Sequence, residues 1–421
     1  MTFRQQQNVS GSLWHRPGVF DQILGYSNRA NPYPLYAELR KPPVVREDDG
    51  SYIVSTYREI VALLRDPRVS SDPRYRADHV AGPDEGAPRL PPDVASLDSP
   101  EHDRARRRLM RHFGPPHSPD RIDRLVPELD EIVTGLIDNF AGRNRVGLVD
   151  EFAYPFPVTV ICRVLGVPRE DEPRFRVWST DFIQAGDPAT GDFATRSRRR
   201  EQTTAEMGRY MGELADARRD HPGDDMLSGL VTDDGPDGRF SRGELMTNAA
   251  ALLIAGHETT VNLITNGMLT LLRHPDVLQR IRREPELAIR AVEELLRYEP
   301  PVHWLPNRCA IADIDIAGTV IPAGAPITLV IAAGNRDPNH VSDPDRFDPD
   351  RRDLEHLGFG SGVHYCFGAP LARPETQIAL TQLARRLENP RLVTDPPEYR
   401  PNQLLCGPRH LLVEFDRVIP T

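Results

Sequence analysis

A cysteine framed by glycines at the start of a helical run is where this sequence most plainly prepares for chemistry. The stretch Phe359-Gly360-Ser361-Gly362-Val363-His364-Tyr365-Cys366-Phe367-Gly368 is followed at once by a helix-like run from Ala369 to Leu387. Glycine permits positive φ and close backbone approach, so Gly360, Gly362 and Gly368 let the loop curl beneath Cys366 with N–H groups facing the sulfur. Those donors, and the positive end of the following helix, favour thiolate over thiol. Phe359 and Phe367 would screen the sulfur from water. A soft, shielded thiolate suits haem iron, where it pushes electron density toward cleavage of an O–O bond. A buried structural residue is the competing reading for a cysteine standing alone, and here the surroundings favour a ligand. Cys162, Cys309 and Cys406 show no CxxC or Cys/His spacing, which argues against zinc. Four scattered cysteines without a secretory context also argue against disulfides.

A second constellation is Ala255-Gly256-His257-Glu258-Thr259-Thr260. It sits inside the longest expected helix, which opens on a capping box at Ser241 and Glu244 and meets no proline before Pro275. At about 1.5 Å per residue that helix spans roughly 45 to 50 Å. Acidic and hydroxyl side chains in a helix interior cost propensity, so their presence needs a reason. Oxygen chemistry supplies one. Ala255 and Gly256 leave a notch for a ligand on iron, Thr259 bonds to the helix or to oxygen and water, and Glu258 relays protons. Together Glu258 and Thr259 would deliver the two protons that release water from dioxygen. A capped polar helix with a chance Glu-Thr-Thr is the plainer alternative, and His257 reads as structural. Asn248, Ala251, Leu252 and Ala255 share the face of Thr259 by helical spacing and are candidates to line a substrate pocket.

The pattern Phe-Gly-x-Gly-x-His-x-Cys-x-Gly, followed by Leu371-Ala372-Arg373, resembles the haem-binding loop of the cytochromes P-450. The resemblance runs from about Asn31 to the C-terminus. It implies a mainly α protein with small β-sheets, a triangular helical bundle around a buried haem b. Glu258 and Thr259 then match the family's acid–alcohol pair. His102 and Arg106, four apart and able to grip an anion from one helix face, match a propionate-binding pair, as do Arg308 and His364. A solvated basic helix is the competing reading, and Arg104, Arg107 and Arg111 form a separate stripe suited either to solvent or to an acidic electron donor. Glu294 and Arg297 match the Glu-x-x-Arg motif, with Arg351 completing a buried structural network. Val302, His303, Trp304 and Leu404 fall where the family lines its pocket. Pro374 departs from the family pattern and is expected to kink its helix.

The elements that must position these groups follow in order. Residues 1 to 30 read as a loosely ordered arm and 31 to 421 as one domain. Tyr33 to Arg40 reads as a short helix, Val44-Val45 and Tyr52-Ile53-Val54 as a hairpin across Asp49-Gly50, and Tyr57 to Arg65 as a helix ended by Pro67. Residues 70 to 98, rich in Pro, Asp and Gly, read as a lid, with a disordered tether as the alternative. Helices follow at Ile122 to Phe140, Phe156 to Leu165, Arg174 to Ala185 and Arg198 to Arg219, the last two joined by a flexible connection through Gly186 and Asp192. Ile311 to Ile316 alternates as a strand, with turns at Ala317-Gly318 and Pro322-Ala323-Gly324.

Hydrophobic content of 39% suffices for a core. No run approaches the roughly 18 apolar residues of a membrane span, and Met1 to Ser10 lacks a signal peptide's apolar stretch. A soluble, cytoplasmic, monomeric protein is expected. The net charge of -10 argues against nucleic acid as a partner, and the use of Arg with Lys41 as the single lysine points to a GC-rich bacterial genome. The resemblance implies a monooxygenase that inserts one oxygen atom into a hydrophobic small molecule, free or tethered to a carrier protein, in secondary metabolism. Oxidative coupling or epoxidation is the alternative on the same fold, and a non-catalytic haem sensor the alternative of another class. With no flavin domain and no Gly-x-Gly-x-x-Gly fingerprint, electrons from NAD(P)H would come through ferredoxin and ferredoxin reductase.

Overall fold

The computed structural model describes residues 18–76, 91–185, 190–402 and 404–420. The chain first forms α1 (Val19–Leu24), α2 (Tyr33–Leu39) and α3 (Tyr57–Arg65). Next come α4 (Glu101–Phe113), α5 (Pro119–Asp138), α6 (Pro155–Leu165), α7 (Glu172–Gln184), α8 (Phe193–Asp220) and α9 (Met226–Thr232). The C-terminal half adds α10 (Arg242–Arg273), α11 (Pro275–Arg283), α12 (Leu287–Tyr298), α13 (Ile331–Gly334) and α14 (Ala369–Arg386). Residues 18–30 depart from the expected loose arm: α1 packs on α2 and buries Ile23 in a cluster with Tyr36, Leu39 and Trp304. Most of the expected lid, residues 77–90, and residues 186–189 of the α7–α8 connection lie outside the described residues.

α10 runs through the centre, packed against α6, α8 and α14. Its start is the capping box: the Glu244 N–H donates to Ser241 Oγ, and the Ser241 N–H donates to Glu244 Oε2 at 2.7 Å. Gly267 sets how near α10 comes to its neighbours, because a Cβ there would fall 2.9 Å from Leu380 of α14 and 3.1 Å from Leu295 of α12. α14 carries Pro374 inside it and is not ended by it. The backbone bond forgone is the one to the Pro370 carbonyl, within the first turns of the helix.

Among the described residues, ten short strands make three sheets. They are β1 (Val44–Arg46), β2 (Tyr52–Val54), β3 (Val69–Ser70), β4 (Arg145–Gly147), β5 (Leu305–Ala310), β6 (Ile314–Ile316), β7 (Thr319–Ile321), β8 (Pro326–Leu329), β9 (Arg391–Leu392) and β10 (Leu412–Glu414). The largest sheet has the order β1-β2-β8-β5-β3, with only β2 and β8 parallel. The strand expected at Ile311 to Ile316 is displaced: β5 ends at Ala310, and the bend before β6 is held by the Ala323 N–H donating to Asp313 Oδ1 at 2.9 Å. Ala317 and Gly318, at φ 50° and 76°, close the β6–β7 turn as a two-residue hairpin requires.

Glu294 and Arg297 of α12 are both fully buried. Arg297 donates to Glu294 from Nε (2.7 Å) and Nη2 (2.8 Å), and to the carbonyls of Pro344 and Arg346. Arg351 Nε reaches Glu294 Oε1 at 3.4 Å and Nη2 the Asp343 carbonyl at 3.0 Å, while the Asp348 N–H donates to Glu294 at 2.9 Å. One carboxylate therefore pins an irregular segment, 342–351, to a helix.

Candidate active site

A cavity of about 400 Å³, walled mostly by apolar side chains, lies between α10 and the loop that ends in Cys366. The loop's shape is dictated at two glycines. Gly360 and Gly362 stand at φ 70° and 69°, and a Cβ on Gly362 would come within 2.1 Å of the Leu64 carbonyl oxygen of α3. Gly362→Ala is accordingly expected to cost stability on two counts, positive φ and a backbone clash that no rotamer relieves. A loss of about 1–3 kcal/mol in a urea titration checks this, and an unchanged midpoint would refute it.

Cys366 donates its N–H to the Phe359 carbonyl at 2.8 Å, and part of its surface faces the cavity. The expected depression of its pKa is not what the protein alone provides. Burial pushes the thiol up, against the N–H groups of Gly368 and Ala369 and the guanidiniums of Arg106 and Arg373. A metal cation is the charge that would tip the balance, since a coordinating thiol is deprotonated outright. Behind the loop, burial alone would raise Glu293, but hydrogen bonds from His356 and Arg373 bring it down to about 2. Arg373 donates to Glu293 at 2.7 Å and lies 4.7 Å from the Phe359 ring centre.

His102, Arg106, Arg308 and His364 come together along the cavity wall. The two imidazoles are 4.3 Å apart, and His364 Nε2 lies 3.0 Å from Ser71 Oγ. Burial, then His102 and the two arginines, holds His364 down to about 3. Arg106 makes no hydrogen bond or ion pair among the described residues, and Arg308 reaches only the Asn307 carbonyl. His102 does pair with Asp103, Nδ1 to Oδ1 at 3.0 Å. A thiol facing a cavity whose wall carries two arginines without a carboxylate partner among the described residues fits haem iron with its carboxylate side chains.

On the α10 side, Ala251, Leu252, Ala255, Gly256 and Thr259 line the cavity. Thr259 Oγ1 donates to the Ala255 carbonyl at 2.8 Å. Gly256 has a packing reason beyond the expected notch, because a Cβ there would fall 2.9 Å from Ile161 of α6. Glu258 is buried and lies outside the lining. Its Oε2 pairs with Arg400 Nη1 at 2.7 Å and its Oε1 has no hydrogen-bond partner among the described residues. Burial raises its pKa, and Arg400 opposes this.

Four expected pocket residues are placed elsewhere. Asn248 accepts from the Val94 N–H and donates to the Glu244 carbonyl, both at 2.9 Å, so it holds a turn that itself lines the cavity. His303 is 2.8 Å from the Tyr36 hydroxyl, Trp304 packs with its ring tilted 59° to that of Phe20 at 5.2 Å, and Leu404 joins the same N-terminal cluster. Val302, Leu305 and Arg308 do line the cavity. The register shift between Leu305 and Arg308, with Asn307 at φ 64°, re-aims the chain so that residues of both parities reach inward. Sequence reading missed Asp93, Ile161, Thr260 and Glu375 of the lining, as well as Arg400. The arginine stripe of α4 is largely spoken for: Arg107 pairs with Asp237 and Arg111 with Asp233 and Asp237.

The family model for cytochrome P450 matches residues 197–415. This chain belongs to the cytochrome P450 family. Over 98% of its length it is 40% identical to the cytochrome P450 monooxygenase PikC of Streptomyces venezuelae, covering 97% of that protein. It is 36% identical to the mycinamicin IV hydroxylase/epoxidase of Micromonospora griseorubida, over 89% of this chain and 91% of that one. Among solved structures, ligand-free CYP164A2 of Mycobacterium smegmatis aligns with a TM-score of 0.84 and 36% identity, over 94% of this P450 and 99% of that chain. The mainly helical P450 fold, a monooxygenase activity and haem iron as the cofactor go with that membership. Among the described residues of the P450, no helix is long and apolar enough to cross a membrane.

Proposed function

We propose that this P450 hydroxylates a C–H bond of a hydrophobic small molecule in secondary metabolism, with Cys366 as the residue that would ligate haem iron. The observation that carries the reading is one apolar cavity with the Cys366 thiol on one wall and Thr259 on the other. Haem iron, when bound, activates dioxygen with electrons that NAD(P)H supplies through a ferredoxin and its reductase. The chain's own residues do the rest. His102, Arg106, Arg308 and His364 hold the carboxylates, and the apolar wall excludes water and orients the substrate. Thr259 Oγ1 is placed to hold a water or pass a proton, and Glu258 supplies protons to it. Epoxidation is the second reading, favoured by the mycinamicin relative, whose name carries both activities.

Thr259→Ala tests the proton-delivery role. General acid–base contributions are typically on the order of 10²-fold or more, so product formation should fall by about that factor while nicotinamide oxidation continues and hydrogen peroxide accumulates. Unchanged product per NAD(P)H would remove Thr259 from the mechanism.

A further inference from the structure

The acid of the proton-delivering pair is held by a residue 142 positions away. Arg400 lies on a C-terminal hairpin, residues 399–402 and 404–408, whose arms meet where Tyr399 pairs with Pro408 and the Arg400 N–H donates to the Gly407 carbonyl at 3.1 Å. The far end of that hairpin is joined to the cavity wall. Leu405 pairs with Val302, the Cys406 N–H donates to the Pro301 carbonyl at 3.1 Å, and the His303 N–H donates to the Leu404 carbonyl at 3.3 Å. Its other flank leans on α10 just beyond Glu258. Asn266 Nδ2 donates to the Cys406 carbonyl at 2.9 Å, and a Cβ on Gly407 would fall 2.2 Å from Asn262 Oδ1.

We propose that this hairpin is a proton gate: Arg400 is a positioning residue that keeps Glu258 turned away from the cavity, and substrate contact with Pro301 and Val302 releases it. The inference rests on the reading of Glu258 as proton donor. Three observations support it. Glu258 is outside the cavity lining although Thr259 and Thr260 are in it. One carboxylate oxygen is fixed by Arg400 while the other has no hydrogen-bond partner among the described residues. The element bearing Arg400 is hydrogen-bonded to Pro301, which with Val302 is part of the cavity wall. The other groups about the carboxylate are His257, whose Nδ1 is 3.8 Å from Oε1, and Tyr154 of the segment before α6; Arg176 of α7 stands behind them, 4.9 Å from the Tyr154 ring centre.

A gate of this kind prevents a specific side reaction. Without substrate, a premature proton from Glu258 and one electron from ferrous iron would release dioxygen as the hydroperoxyl radical. Two such radicals disproportionate to hydrogen peroxide and dioxygen.

The test uses the haem-loaded full chain, reduced with dithionite so that electron supply is not limiting, in wild type and in Glu258→Gln, Arg400→Met, Arg400→Lys and Gly407→Ala. Infrared titration of the carboxyl C=O band that Glu258→Gln removes should place the Arg400→Met midpoint more than about one pH unit above wild type, a tenfold change in proton affinity. Arg400→Lys should restore it. In stopped flow without substrate, the reduced Arg400→Met and Gly407→Ala proteins mixed with oxygenated buffer should reoxidise several-fold faster than wild type, more slowly in D2O, and release peroxide. Wild-type reoxidation rates in both variants, with product formation impaired in Glu258→Gln, would overturn the gate alone. An unimpaired Glu258→Gln would overturn the proton-donor reading beneath it.

Discussion

Replacing Cys366 with serine is expected to abolish the strongly red-shifted Soret band of the reduced, carbon monoxide-treated protein and to bring product formation to background. The shift requires a thiolate on iron, and an alcohol oxygen is a harder, poorer electron donor. No other cysteine can take over, because Cys162, Cys309 and Cys406 are buried and none lines the cavity. The variant should still fold, since Ser is close in size and the Phe359–Cys366 backbone hydrogen bond does not involve the side chain. Absorption spectra with and without carbon monoxide, alongside circular dichroism, check both halves. Persistence of the band would remove Cys366 as the ligand, and with it the assignment of the cavity.

Arg297→Ala is the second large effect, and it acts on the fold. Among the described residues, the substitution leaves the Glu294 carboxylate buried with Arg351 at 3.4 Å and the Asp348 N–H for company, strands the Pro344 carbonyl and takes one of two donors from the Arg346 carbonyl. Breaking a buried pair by removing one partner costs about 3–5 kcal/mol, against a total stability of about 5–15 kcal/mol for a typical protein. Little haem-loaded protein should therefore be recovered, and what is recovered should unfold at markedly lower urea. Arg297→Lys should not restore it, because a single ammonium cannot reproduce the two-pronged contact with Glu294 together with the carbonyl bonds. Wild-type stability in Arg297→Ala would show the network to be dispensable.

What the sequence made legible is what neighbours along the chain determine. The capping box at Ser241 and Glu244, the glycine loop before Cys366 and the Asp49-Gly50 hairpin are fixed by residues within a few positions of one another, and each stands in the structure as read. Side-chain direction was harder. Helical spacing put Ala251, Leu252 and Ala255 on the cavity, but Asn248 on the same stripe bonds to a loop before it reaches the space. On the extended segment, Val302 and Leu305 face the cavity while His303 and Trp304 pack toward the N-terminal helices, and a bulge near Asn307 then brings Arg308 inward; nothing in those residue types announces it. The upward push of burial on the Cys366 thiol was not legible, because burial is a property of the whole fold, whereas the opposing N–H donors were local and visible. Arg400 left no trace at all, since its partner is far along the chain and an arginine in a proline-flanked turn is unremarkable by itself.

Gly267 bears on the evolution of such pockets. It lies two turns beyond Thr259, touches neither substrate space nor iron site, and allows α10 to rest against Leu380 of α14 and Leu295 of α12. α10 forms the ceiling over the cavity, and α14 begins at its floor beside Cys366. The headroom between them is thus gauged like the gap of a calliper whose screw is a missing methyl group. A lineage needing a taller chamber for a bulkier molecule has an adjustment there that alters no surface the molecule would touch.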